Sequence, residues 1–535
     1  LPKQPAELQH PGGVGRLQVG AHQRAGLVAE ALRTKGHIDG DDQRKRGGDR
    51  DIHRGRDSPY RIDQHRVDAC GDLVQQLLPV DALQPVHQPA HVSILCVEIG
   101  SPAGNIGLDL HIQAVEGLHQ LRNQQSQRQY QHQHNAQQGD EKAEKVDGFR
   151  RGLLFGLAEQ GNVYGRLGNP TQAMLEERMS LLEGGVGALA SASGTSAIFS
   201  TIVNLAKQGD EIVSANNLYG GTFTLFNDIL PQFGITTRFV KPQDFDKMEA
   251  AVNGRTRALY VEAIGNPALD VADLDAVSAI AKRHGLPLVV DATFATPYLL
   301  RPFEHGADIV VHSLTKWLGG HGTALGGIVV DGGTFDWTDS RFSLYVEPDA
   351  SYHYLRWGYD LPEGYPPFIT RMRLVPLRNL GACIAPDNAW MILQGLETLP
   401  LRMERHCANA LKVAYHLKQH PKVAWVRYPG LPDDPAHAAA CRMLRNGFGG
   451  MVVFGIQGGQ PAGQRFIEKL GLFSHLANVG DAKSLALHPA STSHAQLSEE
   501  QQRDAGLPPE LIRLSIGIEH IDDILEDLDQ ALGEI

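Results

Sequence analysis

The sequence predicts an α/β fold, and three observations lead to that prediction. Its 535 residues exceed what one hydrophobic core usually fills, so two or three domains are expected. From about residue 152 onward, short apolar segments alternate with helix-like segments, and Gly, Asn, Asp or Pro separates them. The apolar segments are short and mainly apolar on both faces, which is typical of strands buried in a mostly parallel sheet.

The first group of elements forms the predicted large domain, residues 152–387. Strands are predicted at residues 188–191, 211–214, 236–240, 258–262, 288–291 and 309–312. Helices are predicted at residues 245–252 and 273–284, between strands. Residues 333–366 are aromatic and proline-bearing without periodicity, so this region is predicted to be irregular.

The second group of elements forms a smaller C-terminal α/β domain, predicted at residues 388–535. It opens with a long helical pattern over residues 388–420. Further elements are predicted at residues 450–456, 512–518 and 521–532, the last of them a helix. The fold is therefore expected to pair a mostly parallel large domain with a smaller α/β domain.

The first 151 residues differ from the rest in composition. Up to residue 150 the aromatic side chains of Phe, Tyr and Trp are limited to Phe149, Tyr60 and Tyr130, and residues 124–138 form a Gln- and His-rich tract without periodicity. We predict that this segment is disordered or is not native coding sequence, as a frameshift or a wrongly extended reading frame would produce. A histidine metal site or a basic nucleic-acid arm is less favoured, because interleaved aspartates cancel the positive charge.

Charge and cysteine content limit the function classes. A net charge of −12 argues against a nucleic-acid-binding protein, which would present a basic face. The five cysteines are widely spaced without a Cys-x-x-Cys pair, which favours a reducing compartment and no metal site. No apolar stretch approaches the ~18 residues of a membrane span. We expect a cytoplasmic protein with small-molecule substrates.

A lysine among hydroxyls and glycines follows the predicted strand at residues 309–312. Ser313, Thr315 and Lys316 bring an amine and two hydroxyls within four positions of each other. A pyridoxal-phosphate enzyme needs an amine to bind the cofactor aldehyde and nearby donors for the phosphate. Alone, the run also fits a surface lysine followed by a glycine turn. With the rest of the chain, it predicts pyridoxal 5′-phosphate as the cofactor.

Six further residues support that prediction. Gly194 and Thr195 lie where a strand meets a helix, and a helix N-terminus can bind phosphate, although an ordinary N-cap fits equally well. Asp291, followed by Thr293, closes an apolar strand, where a carboxylate can keep the cofactor pyridine nitrogen protonated or can cap the next turn. Asn266 and Tyr219 add an amide and an aromatic face, and each is unspecific alone.

Taken together, and in this order, these motifs resemble the Cys/Met-metabolism family of fold-type-I pyridoxal-phosphate enzymes. The resemblance covers about residues 152–535, and its opening motif is the Tyr-x-Arg of Tyr164 and Arg166. By that resemblance, Tyr164 and Arg166 reach the cofactor phosphate of a neighbouring subunit. A homo-oligomer, a dimer of dimers with shared active sites, is therefore expected.

One branch of the family fits best. Residues 478–494, 347–353 and 393–406 resemble the O-acetylhomoserine sulfhydrylase version, and the irregular region at residues 333–366 is typical of it. The implied reaction replaces acetate in O-acetyl-L-homoserine by sulfide or a small thiol and gives L-homocysteine for methionine biosynthesis. O-succinylhomoserine sulfhydrylase and methionine γ-lyase are the enzymatic alternatives.

The resemblance also assigns roles to single residues. Lys316 is the cofactor-binding lysine and general base, Asp291 stabilises the cofactor ring, and Tyr219 stacks on it. Gly194, Thr195, Thr293, Ser313, Thr315 and Asn266 are expected to contact the cofactor. Arg513, an arginine inside an otherwise apolar strand, is expected to bind the substrate carboxylate bidentately, with Asn478 and Ser484 as further contacts.

Two departures from the family pattern stand out. Many relatives have Asn after the strand-end aspartate, where this chain has Ala292, so one hydrogen bond near Asp291 is expected to be missing. The family's N-terminal arm, a Pro-Ile/Leu-Tyr-x-Thr/Ser-Thr/Ser segment, is not found in residues 1–151. A cofactor-binding but inactive protein is therefore the alternative from another functional class.

Overall fold

A computed structural model describes residues 161–492 and 507–535. The predictions for residues 1–151 lie outside the described residues, as does the end of the motif at residues 478–494. Within the described ranges, no helix combines the length and the apolar character needed to cross a membrane.

A seven-stranded sheet organises the part of the chain up to residue 331. Its strands are β1 (Gly187–Ser191), β2 (Glu211–Ala215), β3 (Thr236–Val240), β4 (Thr256–Glu262), β5 (Leu288–Asp291), β6 (Ile309–Ser313) and β7 (Gly327–Asp331). They are ordered β1-β7-β6-β5-β4-β2-β3, and all adjacent pairs are parallel except the two that involve β7. The mostly parallel sheet and its six predicted strands are confirmed, and β7 was not predicted.

Helices cover both faces of this sheet. They are α1 (Pro170–Glu183), α2 (Gly194–Leu205), α3 (Gly220–Thr224), α4 (Phe245–Ala251), α5 (Leu274–Arg283) and α6 (Thr296–Leu299), with a π-helix at Leu225–Ile229 and 3₁₀ turns at Leu230–Phe233 and Pro302–His305. The predicted helices α4 and α5 are confirmed. Each begins after an aspartate, Asp244 or Asp273, whose side chain accepts a backbone N–H of the first turn.

The irregular region owes its order to aromatic packing. Between residues 333 and 366 it forms one helical turn, α7 (Ser343–Val346), and an isolated bridge between Asp349 and Leu355 among bends and turns. Trp337 and Tyr345 are buried and stack at 4.4 Å between ring centroids, and Trp357 is also fully buried. Aromatic residues that pack by the shape of their rings need not recur every 2 or 3.6 positions. The sequence of this region therefore shows no periodicity. Helices α8 (Pro367–Met372) and α9 (Arg378–Leu380) follow, on either side of a π-helix at Arg373–Leu377.

The helical pattern at residues 388–420 is interrupted once. It forms two helices, α10 (Pro386–Glu397) and α11 (Leu399–Gln419), which meet at Thr398. Pro400 stands in the first turn of α11 and lacks the N–H that a continuous helix would require there. The prediction of one long helix was therefore wrong at this point.

A second, five-stranded sheet follows. Its strands are β8 (Val423–Arg427), β9 (Met451–Ile456), β10 (Ser474–His475), β11 (Leu485–Leu487) and β12 (Leu511–Ser515), in the order β10-β11-β12-β9-β8, and only β10 and β11 are parallel. The helices of this part are α12 (His437–Met443), α13 (Gly459–Lys469) and α14 (Ile521–Gly533), and Pro489–Ser491 forms a 3₁₀ turn. The predicted boundary between residues 387 and 388 stays a prediction.

Candidate active site

A cavity of about 220 Å³ lies at the carboxyl edge of the parallel strands. The ends of β4, β5 and β6 and the first turn of α2 form one wall, and β12 of the second sheet with residues 477–479 forms another. Most of the predicted site residues line it: Gly194, Thr195, Tyr219, Asn266, Asp291, Thr293, Ser313, Thr315, Lys316, Asn478 and Arg513. The carboxyl ends of parallel strands are where such folds bind ligands.

Lys316 projects from the loop after β6. The loop is closed by backbone hydrogen bonds, from Lys316 N to the Ser313 carbonyl at 3.3 Å and from Gly320 N to the Lys316 carbonyl at 2.7 Å. The lysine amine donates to the side-chain oxygen of Asn478. Burial, and then the positive charge of Arg513, lowers the pKa of Lys316 to about 8. A substantial fraction of the amine is therefore unprotonated and nucleophilic at mildly alkaline pH.

Asp291 closes β5 with its carboxylate in the cavity wall. Its Oδ1 accepts the backbone N–H of Thr293 at 2.9 Å, and the hydroxyl of buried Tyr260 lies 3.5 Å from Oδ2. Burial raises the pKa of Asp291, and the hydrogen bonds from Thr293 oppose that rise. Tyr260 therefore offers a donor to this carboxylate, next to the position where Ala292 provides none.

The first turn of α2 forms a cradle for an anion. Ser193 caps the helix by accepting the Ser196 N–H at 3.1 Å, while the N–H groups of Gly194 and Thr195 have no acceptor in the described part of the chain. A Cβ on Gly194 would lie 2.6 Å from the Ser313 side chain, so only glycine allows α2 and β6 to approach this closely. The hydroxyl of Thr293 accepts the Ser313 N–H at 2.8 Å and ties the end of β6 to the segment after β5.

Arg513 brings a positive charge from the second sheet. It lies on β12, and its guanidinium donates to the side-chain oxygen of Asn266 at 3.3 Å. Burial lowers the pKa of Arg513 to about 10, so the side chain stays cationic at neutral pH. The cavity thus holds an amine, a carboxylate, a guanidinium and a helix N-terminus around one space.

Three predicted residues lie elsewhere. Ser484 is buried, donates its hydroxyl to Glu519 at 3.0 Å and accepts the Gly517 N–H at 2.9 Å, so it supports the segment beside Asn478 rather than lining the cavity. Arg166 lies over the ring of Tyr164, 5.3 Å from its centroid, and neither lines the cavity of its own chain.

Two titratable residues at or near the cavity were not identified from the sequence. Glu262, at the end of β4, lines the cavity, and Tyr260 reaches Asp291 from the same strand. Glu262 could have been predicted as a site residue, because it is a carboxylate at the end of a predicted strand, as Asp291 is. Tyr260 could not have been predicted from the sequence, because its contact with Asp291 is made between two neighbouring strands, β4 and β5.

The donor set fits pyridoxal phosphate. Lys316 would supply the amine, the first turn of α2 with Ser313 and Thr315 would supply phosphate donors, and Asp291 would supply a carboxylate for the pyridine nitrogen. Fold and site together define a fold-type-I pyridoxal-phosphate enzyme. The chain matches the Cys/Met metabolism PLP-dependent enzyme family over residues 125–533, and it belongs to that family.

Named relatives and a solved structure agree with this assignment. The chain is 53% identical over 389 residues to an O-acetyl-L-homoserine sulfhydrylase of Leptospira meyeri, covering 71% of this chain and 88% of the relative. It is 48% identical over 387 residues to O-acetyl-L-homoserine sulfhydrylase 1 of Thermus thermophilus, covering 71% and 90%. A Campylobacter jejuni crystal structure described as an O-acetylhomoserine (thiol)-lyase with a pyridoxyl-lysine monophosphate superposes with a TM-score of 0.69 at 41% identity, covering 71% of this chain and 91% of that one.

Proposed function

We propose that this chain transfers sulfide or a small thiol onto O-acetyl-L-homoserine and forms L-homocysteine and acetate. The observation that carries the proposal is the meeting of Lys316, Asp291 and Arg513 in one cavity, in a chain 53% identical to an O-acetyl-L-homoserine sulfhydrylase. In the reaction the Cγ–O bond to acetate breaks and a C–S bond forms at the same carbon. The proton lost by the thiol balances the charge carried away by acetate.

Bound pyridoxal phosphate supplies an aldehyde and an electron-accepting ring. Arg513 binds the substrate carboxylate, because a guanidinium presents two parallel N–H donors to such a group. That contact places the substrate Cα beside Lys316. With a pKa of about 8, the Lys316 amine can accept the Cα proton and then a Cβ proton, whose removal lets acetate leave Cγ. After the thiol has added at Cγ, the same amine can return protons to Cβ and Cα.

The remaining side chains orient these groups. Asn478 accepts from the Lys316 amine and holds it on the cavity side, and Asp291 offers a negative charge at the floor of the site. Tyr219 presents an aromatic face at the cavity mouth, where a planar ring can stack. Apolar walls from Ile198 and Phe294 limit the access of water to the reacting atoms.

The proposal extends to the oligomeric state of the protein and to its cellular compartment. We infer a homo-oligomer, a dimer of dimers, in which Tyr164 and Arg166 contribute to a neighbouring subunit's site, because neither lines the cavity of its own chain. A cytoplasmic location rests on the widely spaced cysteines. A role in methionine biosynthesis follows from the product homocysteine.

The test is turnover of O-acetylhomoserine with sulfide by the full-length chain, beside O-succinylhomoserine, cystathionine and methionine. We expect homocysteine from the acetyl ester at a rate at least about 10-fold above that from the succinyl ester, since a pocket that fits the shorter acyl group discriminates by about 1–3 kcal/mol. Cystathionine and methionine should be turned over more slowly than the acetyl ester. The Lys316→Ala variant is the control for background chemistry. Faster turnover of the succinyl ester or of methionine would overturn the assignment, and bound cofactor without turnover would indicate an inactive protein.

A further inference from the structure

Glu262 is a second carboxylate at the carboxyl edge of the large sheet. It ends β4 directly beside Asp291, its register partner at the end of β5. Its side chain lines the cavity and is almost fully buried, with 7% of the residue exposed. Two carboxylates on neighbouring strands in a buried site repel each other if both are ionised. Asp291 is the one expected to face the cofactor ring, so Glu262 requires a separate explanation.

The contact that Glu262 makes is with the backbone of Tyr219. The Tyr219 N–H donates to Glu262 Oε1 at 2.6 Å. Tyr219 immediately precedes the short helix α3, and no side chain caps that helix. A Cβ on Gly221 would lie 2.5 Å from the Tyr219 ring, so the ring lies over Gly221. Tyr219 is 53% exposed, so few packing contacts hold its side chain and the position of the ring depends on how the backbone is held.

The environment of Glu262 favours the uncharged carboxyl. Burial, and then the negative charge of Asp291, raises the pKa of Glu262 well above its ordinary value, while the Tyr219 hydrogen bond lowers it less. An uncharged carboxyl keeps a carbonyl oxygen that accepts the Tyr219 N–H. In that form Glu262 leaves the negative charge of the sheet edge on Asp291.

We propose that Glu262 is a positioning residue that acts through Tyr219, by holding its backbone so that the aromatic ring stays over the cavity. The proposal rests on the proposed function and deepens it, because Tyr219 is the ring expected to stack on the cofactor. What matters is the acceptor oxygen at the end of β4, and a negative charge at this position is not needed.

The experiment is a double-mutant cycle between Glu262 and Tyr219 in the full-length holoenzyme. The variants are Glu262→Leu, Tyr219→Ala and the double substitution, with Glu262→Gln as the conservative variant. One readout is kcat/KM with the best substrate. The other is the circular dichroism of the bound cofactor's visible band, which needs no turnover and reports the asymmetry of the cofactor's surroundings.

We expect Glu262→Leu to lower kcat/KM about 10-fold and to reduce the dichroic band, as the loss of a buried hydrogen bond in a site would. In the Tyr219→Ala background the same change should lower kcat/KM less than about 2-fold, because coupled residues are not additive. Glu262→Gln should restore most of the loss, since its amide oxygen can accept the same N–H.

Glu176 provides the control for the loss of a buried glutamate, and unlike Glu262 it also pairs with Arg373, at 2.6 Å. It is another buried glutamate whose Oε1 accepts a backbone N–H, that of Ala190 at 2.8 Å, and it does not line the cavity. Any effect of Glu176→Leu should therefore be the same with Tyr219 or Ala at position 219. If the Glu262→Leu protein does not fold, Glu262→Ser removes the same contact with a shorter polar side chain.

Additive effects of Glu262→Leu and Tyr219→Ala, in kinetics and dichroism alike, would overturn the proposal. Failure of the glutamine variant to recover would also overturn it, because it would show that charge or proton donation by Glu262 is what matters. If no substrate is turned over but the dichroic coupling is present, the proposed function fails and the inference about Glu262 stands.

Discussion

The lowered pKa of Lys316 can be tested by substituting Arg513, the charged residue near it. Burial is the larger cause of its lowered pKa and the positive charge of Arg513 is the second. The unprotonated amine is the form that attacks an aldehyde. For the cofactor-free chain, the rate of pyridoxal phosphate capture should rise about tenfold per pH unit and level off above about pH 8.

Arg513→Gln should move this pH midpoint upward, because it removes a like charge, yet not as far as an ordinary lysine, because burial remains. The measurement is the capture rate between pH 6 and 10, followed by the absorbance of the bound cofactor. Arg283→Gln, at an exposed arginine paired with Glu249, is the control. An unchanged midpoint in Arg513→Gln would show that the two groups do not interact.

Arg513 should also contribute directly to substrate binding. Arg513→Lys keeps the positive charge but cannot present two parallel N–H donors to a carboxylate. We expect kcat/KM to fall about 100-fold, near the 2–3 kcal/mol of a charge-assisted hydrogen-bond pair, with most of the loss in KM. Steady-state kinetics with varied O-acetylhomoserine measures this, and a loss confined to kcat would contradict a role in binding the carboxylate.

At the level of single residues, the sequence identified those site residues whose adjacent residues in the chain form a recognisable motif. Lys316 follows a strand in a run of hydroxyls and glycines, and Asp291 closes another strand. Ser484 belongs to an equally distinct motif, but its hydroxyl is engaged by Glu519 and Gly517. That contact joins segments 33–35 positions apart, so local pattern could not reveal it.

At the level of elements, α11 holds the loop that carries the lysine. Arg402 on α11 donates to the carbonyls of Trp317 at 2.6 Å, Leu318 at 3.2 Å and Gly395 at 2.7 Å. Burial lowers its pKa to about 10, yet it stays cationic at neutral pH. One buried guanidinium therefore ties the Lys316 loop to the junction of α10 and α11.

Arg402→Leu should lower the free energy of unfolding by about 2–4 kcal/mol, because three carbonyls lose a charged donor. Denaturant unfolding of the holoenzyme and of the cofactor-free chain measures it. Arg402→Lys should recover only part of the loss, since one ammonium cannot reach all three carbonyls. A loss below about 1 kcal/mol would mean that water replaces the guanidinium without penalty.

Strand β7 contains a carboxylate that makes stability depend on pH. Burial raises the pKa of Asp331 to about 6, and its Oδ2 has no partner within the described residues. Since the folded-state pKa lies above the unfolded one, the folded state binds the proton more tightly. This group therefore favours folding at low pH, and its contribution is lost as the pH rises from about 4 to about 6.

Asp331→Asn should flatten that dependence. Between pH 4.5 and 7 the wild type should lose about 2 kcal/mol more stability than the variant, since two pKa units correspond to about 3 kcal/mol in full and about 1 kcal/mol of it is already lost at pH 4.5. Because both proteins share all other titrating groups, the difference between their denaturation curves isolates Asp331. Neighbouring Asp308, whose pKa burial also raises, is present in both. Parallel curves would contradict a raised pKa.

Most elements were predictable because each is locally consistent. The strands of the parallel sheet are short apolar runs followed by caps, and their predicted bounds differ from the observed ones by at most two residues. Strand β7 was not predicted, because it follows β6 without an intervening helix and pairs with it antiparallel. The prediction had assumed that strands and helices alternate. The break at Thr398 depends on a single proline inside an otherwise helical pattern.

At the level of the whole molecule, the candidate site depends on both sheets. Lys316 and Asp291 come from the seven-stranded sheet, whereas Asn478 and Arg513 come from the five-stranded part of the chain. The sequence could not predict this convergence from periodicity, because it joins residues that are far apart in the chain. Family resemblance supplied it, and it also assigned Tyr164 and Arg166 to a neighbouring subunit.

Sharing of sites between subunits can be tested by mixing two inactive variants. Lys316→Ala removes the reactive amine, and Arg166→Ala removes the proposed phosphate contact. In a hybrid dimer the Arg166→Ala subunit supplies Lys316 and the Lys316→Ala subunit supplies Arg166, so one of the two sites is complete. Because half of randomly assembled dimers are hybrid, co-expression should restore about one quarter of the wild-type activity.

The hybrids are best isolated with two different affinity tags, so that their activity per site can be measured directly. Mixing the purified variants without subunit exchange is the control and should give only the mean of the parents. A tagged hybrid no more active than that mean would show that Arg166 acts in its own subunit. Its side chain would then have to turn away from Tyr164 and the Arg378 carbonyl, which it contacts now, towards its own cavity.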